Sequence, residues 1–89
     1  MKCVLTVIGK DKPGIIYKVS ELLAKHSINI EDITQTILQS TFTMVMIINL
    51  ENSGVNFKTL SEEVKTLSEN IGVSIHLQNE GIFDAIYKV

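Results

Sequence analysis

Apolar and polar positions in this chain switch between two periods, and each switch marks an element boundary. Val4 to Ile8 is apolar on both faces, interrupted only by Thr6, as in a strand covered on both sides. Gly9-Lys10-Asp11-Lys12-Pro13-Gly14 reads as a turn. From about Ile15 to His26 the period becomes helical. Ile15, Val19, Leu22, Leu23 and His26 share one stripe, with Lys18, Glu21 and Lys25 opposite and Glu21–Lys25 placed as a favourable i,i+4 pair. Ile28 to Leu38 predicts a second strand, and its apolar parity changes between Ile30 and Ile33, which predicts a bulge near Glu31-Asp32. Gln39-Ser40-Thr41 is a short hairpin loop. Phe42 to Leu50 is a third strand, with Met44, Met46, Ile48 and Leu50 on one face and Val45 and Ile47 on the other.

Asn52-Ser53-Gly54 breaks the chain, and Asn56 is placed to cap a second helix from about Phe57 to Ile71. Phe57, Leu60, Val64, Leu67 and Ile71 are its buried stripe, and Gly72 stands where a helix-terminating glycine belongs. Val73, Ile75 and Leu77 then alternate with Ser74, His76 and Gln78, the pattern of a half-exposed fourth strand. In the tail, Ile82, Phe83, Ile86 and Tyr87 are spaced for a short amphipathic helix. The order is βαββαβ plus a tail. Right-handed crossovers place strands one and three at the centre of a four-stranded antiparallel sheet, order 4-1-3-2, with two helices on one face: an α+β, ferredoxin-like sandwich. Residues 1–89 make one domain, with 1–79 as core and 80–89 as tail. The sheet face away from the helices carries apolar side chains, so the tail or another subunit is expected to cover it.

Composition sharpens this picture. A domain of 89 residues buries only about 60–65% of the surface its unfolded chain exposes, yet 45% of its residues are hydrophobic. Surplus apolar surface of that kind calls for a partner subunit. Net charge is −2, and all eight basic residues are lysines. The absence of a basic stripe and of arginine argues against nucleic acid and against recruitment to a membrane surface. Cys3 is the sole cysteine and sits in an apolar strand pattern, so it reads as a core residue rather than a ligand or redox group. The first residues run straight into a strand, leaving no room for a signal peptide, and no apolar run approaches a membrane span. A cytoplasmic setting is the expectation.

The run Val4-Leu5-Thr6-Val7-Ile8-Gly9-Lys10-Asp11-Lys12-Pro13-Gly14-Ile15-Ile16, followed by Ser27-Ile28-Asn29-Ile30, resembles the ACT-domain pattern: an apolar strand, Asp-x-Pro-Gly opening a helix, and an Asn-Ile pair starting the second strand. Asp32 to Thr36, Phe42-Thr43-Met44 and the tail Ile82-Phe83-Asp84-Ala85 are similar to small stand-alone ACT proteins of unassigned function. The resemblance covers nearly the whole chain. It implies a module that binds an amino acid at the interface of two copies and regulates an enzyme or transcription factor; this chain carries no such neighbour.

The residues that would hold the ligand are Asp11, Pro13, Gly14, Ile15, Ile16, Asn29 and Ile30. Pro13 suits a first helical turn and Gly14 allows close approach. The first helical amides are unpaired donors and can take a carboxylate. Asp11 could receive an ammonium group, and Asn29 could bridge both. The competing reading is that Asp11 caps the helix and Pro13-Gly14 only turns the chain. Asp32 and Gln35 lie on the second strand, an edge that ACT domains can use for pairing; solvated polarity is the alternative. Glu62-Glu63 reads as a solvated helix face. His26 suits the end of a helix and His76 faces outward, with no second metal ligand at a useful spacing, so neither metal nor cofactor is expected. No catalytic constellation stands out, and two enzymes or binders of like topology fit badly. An acylphosphatase-like site resembles one with an arginine clamp, and an RNA-recognition surface needs aromatics on the central strands, where only Phe42 stands. What remains is a non-catalytic ligand sensor or a pure dimerisation and interaction module, in either case a homodimer.

Overall fold

A computed structural model describes residues 1–81. It contains β1 (Lys2–Lys10), α1 (Ile15–Lys25), β2 (Asn29–Leu38), β3 (Thr41–Asn49), α2 (Phe57–Ile71) and β4 (Ser74–Asn79). The sheet order is β2-β3-β1-β4, and every neighbouring pair is antiparallel. The predicted βαββαβ sandwich and strand order are therefore those observed. The amphipathic helix read at residues 82–89 lies outside the described residues.

Side-chain parity builds the core. Cys3, Leu5 and Val7 of β1 stand opposite Ile48, Met46 and Met44 of β3, and together they face Ile15, Val19 and Leu23 of α1 and Leu60 and Val64 of α2. Cys3 is fully buried there, and burial pushes its thiol pKa up, which keeps it protonated and inert. The other face of the central strands carries Val4, Ile8, Val45 and Ile47, of which Val4 is buried, Val45 and Ile47 half-buried and Ile8 exposed. Asn56 caps α2 by accepting from the Thr59 amide at 2.8 Å, and Gly72 ends it with φ +70°. The bulge falls where the parity change predicts it. Ile30 pairs with Ile48 and Asp32 with Ile47, so Glu31 is the extra residue, clamped by Lys2 at 3.0 Å and Asn49 at 3.1 Å.

Three readings need correction. Gly9 and Lys10 belong to β1 and not to the turn, because backbone pairing with Phe42 and Thr41 does not require apolar side chains. Glu21 and Lys25 do not pair: Glu21 accepts from the Tyr17 hydroxyl at 3.1 Å, and Lys25 reaches across to Glu63 on α2 at 3.1 Å. Glu63 is consequently not a solvated carboxylate, since it also lies 2.6 Å from His26 Nε2. These contacts tie the end of α1 to the middle of α2. Among the described residues no helix is long and apolar enough to cross a membrane.

Candidate functional site

The turn between β1 and α1 is pinned to the β2–β3 hairpin by the Asp11 amide, which donates to the Ser40 carbonyl at 2.7 Å. Gly14 occupies the N-cap position with φ +90°, a left-handed conformation that an L side chain adopts only at a cost. No side chain caps the helix and no acid stands in its first turn, so Asp11 is not the cap that the bland reading of this motif required. The first intrahelical bond runs from the Lys18 amide to the Gly14 carbonyl at 2.9 Å. The amides of Ile15, Ile16 and Tyr17 precede it and are left as donors at the positive end of the helix.

A hollow of about 260 Å³ opens beside them. Its walls are Lys12, Pro13, Gly14, Ile15 and Lys18 from the turn and first helical turn, with Asn70 and Ile71 from the end of α2. Lys12 spans the gap: its Nζ lies 3.1 Å from where a Cβ on Gly72 would stand, over the carbonyl end of α2. Lys18 is exposed on the α1 side, its Nζ 5.9 Å from the centre of the Tyr17 ring. Among the described residues no carboxylate lines this hollow. Its chemistry is that of an anion receptor: two ammonium groups, a helix start and an amide side chain.

The predicted site residues divide into two groups. Asp11, Pro13, Gly14, Ile15 and Ile16 lie together at the turn. Asn29 and Ile30 do not join them within one protomer. Asn29 stands opposite Asn49, which stands opposite Lys2, whereas the turn follows Lys10. Eight strand residues separate Lys2 from Lys10, a distance of roughly 26 Å at 3.3 Å per residue. The reason is topological: β2 starts where α1 has finished crossing the sheet, at the opposite end from where α1 began. Sequence reading missed Lys12, Lys18, Asn70 and Ile71 as parts of one surface. The available signal was the pair of crossovers, which run antiparallel and set the start of α1 against the end of α2.

Two carboxylates outside this hollow are perturbed. Lys2 and Asn49 hold Glu31 below the usual carboxylate range, and Lys25, then His26, hold Glu63 below it. Lys2 is raised in turn by Glu31. The lowered carboxylates contribute stability that is complete above their ordinary pKa of 4.5 and lost as pH falls through the lower folded values. An acid titration followed by circular dichroism should therefore show stability falling below about pH 4.5. Glu63→Gln should flatten that fall, and an unchanged acid limb would show that the Lys25–Glu63–His26 contact contributes nothing. Among the described residues no group of three or more His, Cys, Asp or Glu side chains converges as a metal site would require.

Comparison with known proteins agrees with the architecture. A model of the ACT domain matches residues 2–78. A UPF0237 protein of Clostridium acetobutylicum is 49% identical over 89 residues, covering 100% of both chains. The solved ACT domain protein from Streptococcus pneumoniae superposes with a TM-score of 0.82 at 38% identity, covering 98% of each chain. The regulatory subunit of aspartate kinase from Thermus thermophilus has a TM-score of 0.67 at 24% identity, covering 86% of this chain and 50% of that one, a likeness of fold alone. A full-length match to the family's own pattern, on a βαββαβ sheet of the right order, establishes that this chain belongs to the ACT domain family of regulatory, ligand-binding modules.

Proposed function

We propose that the protein is a non-catalytic regulator that binds a small carboxylate ligand, an amino acid, at the β1–α1 turn where two copies meet. The observation that carries this reading is the uncapped start of α1, opening with Lys12 and Lys18 onto a hollow that no described carboxylate lines. Fixed amide donors and cations in that arrangement suit a carboxylate. The regulatory role is supported by family membership and by the likeness to a kinase regulatory subunit. A reducing, cytoplasmic setting suits the lone, buried Cys3.

The second copy is argued from β2. All ten residues of this edge strand are exposed. Ile33 and Ile37 stand on its helix-side face, opposite Met46 and Phe42, yet they are 45% and 55% exposed because α1 stops short of them. The strand carries neither lysine nor proline, the usual protection of a free edge. Pairing two such edges antiparallel about a two-fold axis covers both apolar rows and lays the start of one β2 beside the end of the other. Asn29 of the partner subunit then comes to the sheet end that holds Lys10 and the turn. This supports the full predicted set of Asp11, Pro13, Gly14, Ile15, Ile16, Asn29 and Ile30 as a site shared by two copies.

The test is a thermal-shift screen of single free amino acids on the full chain. One or a few should raise the melting temperature with a dependence on ligand concentration, as linkage demands. Lys18→Glu should abolish that rise without altering the dimer. If no amino acid shifts the transition, the sensor reading fails. The remaining function would be a dimerisation module that regulates an enzyme or transcription factor through protein contacts alone, which the bare β2 edge supports equally well.

A further inference from the structure

The sheet has a second bare edge. Among the described residues no strand lies beyond β4, whose sequence Ser74-Ile75-His76-Leu77-Gln78-Asn79 contains no lysine, proline or acid and whose register with β1 is unbroken by any bulge. Natural edges are ordinarily protected by one of these devices. Beside this edge, a groove of about 290 Å³ runs between β4 and α2. Val64, Ile75 and Leu77 form its apolar floor, and Ser61, Lys65 and Gln78 its polar wall. Lys65 is exposed, and the ion pairs of the described residues engage only Lys2, Lys25 and His26. Among those residues no carboxylate lines the groove.

We propose that the β4 edge and its groove dock an extended segment of a different protein, one that places an apolar side chain on Ile75 and Leu77 and an acidic side chain at Lys65. The role of that protein as the regulated target rests on the regulatory reading above; the docking itself does not depend on the ligand. An added strand satisfies the free backbone groups of β4, and its alternate side chains, about 7 Å apart, fall on the groove side. The uncompensated Lys65 selects the acid. A second copy is the wrong occupant on grounds of closure. With β2 edges already joined by a two-fold axis, β4-to-β4 pairing would string dimers into an open ribbon.

The experiment titrates the full, isotope-labelled chain with a blocked peptide, acetyl-Thr-Val-Thr-Leu-Thr-Glu-Thr-amide, and with its Glu-to-Lys counterpart, followed by amide NMR and hydrogen exchange. The expected result is shifts at Ser61, Lys65, Ile75 and Leu77, slowed exchange along β4, and tighter binding of the acidic peptide. Lys65→Glu, a change on the exposed face of α2, should weaken the acidic peptide at least about fivefold and reverse the preference. Absence of shifts at millimolar peptide, equal binding of both peptides, or shifts confined to β2 would overturn the proposal. So would a disulfide-linked dimer formed through Gln78→Cys, which would make a second copy the occupant. A chain that takes the peptide but responds to no amino acid would leave this site standing and remove only the sensor reading.

Discussion

Replacing Ile33 and Ile37 together with lysine should convert the dimer to a monomer at micromolar concentration while leaving the melting curve of the protomer cooperative. The two residues are the most exposed apolar side chains on the helix-side face of β2, and both point beyond the reach of α1. Covering an isoleucine side chain is worth about 1.5–3 kcal/mol when complete, and a two-fold axis counts each change twice. The lysines also set like charges across the seam, the protection that natural edges use. The dimer should therefore weaken at least about a hundredfold, close to 2.7 kcal/mol. Sedimentation velocity checks this directly. A double variant that sediments as the parent dimer would remove β2 from the interface and transfer the role to the sheet face that carries Ile8, Val45 and Ile47. The protomer should survive because neither side chain belongs to the buried core.

The largest effect on stability is expected at Gly9. A Cβ built there lies 2.6 Å from Cγ1 of Val73 and 3.2 Å from its Cα. Side-chain movement relieves the first contact; the second involves backbone, which must shift. Gly9→Ala should cost about 1–3 kcal/mol, as overpacking of a filled core does. Val73→Ala in the same chain should recover part of that cost, although the single Val73→Ala change is itself destabilising. Urea denaturation of the two single variants and the double gives the coupling. Independent, additive effects would show that the strand and the segment after α2 separate freely, contrary to the close approach observed. The position also bears on the site, since Gly9 lies two residues before Asp11 and the same approach sets the distance between the end of α2 and the turn.

Most of the fold could be read along the chain because its signals are local. A strand covered on both faces, as at Val4 to Ile8, differs from the half-exposed alternation of Ser74 to Gln78 by side-chain period alone. Asn56 and Gly72 act on the backbone within a few residues of themselves, so their capping roles were visible before any packing was known. The bulge at Glu31 followed from a parity change within one strand. Glu63, by contrast, looked solvated and Glu21–Lys25 looked paired because helical spacing describes only neighbours on one helix. The preferred partner of Lys25 lay 38 residues away.

The candidate site divides along the same line. The chain by itself determined that a helix opens at Pro13-Gly14 with unpaired amides, that the family pattern runs through Asn29, and that no arginine clamp or metal cluster competes for the role. Only the tertiary structure decided that Lys12, Lys18 and Asn70 share one hollow, that Asn29 stands at the far end of the sheet from the turn, and that two edges remain bare. Local order is written in residue spacing, whereas distances between elements depend on which end of the sheet each crossover reaches, and that is settled by packing and strand pairing across the whole domain.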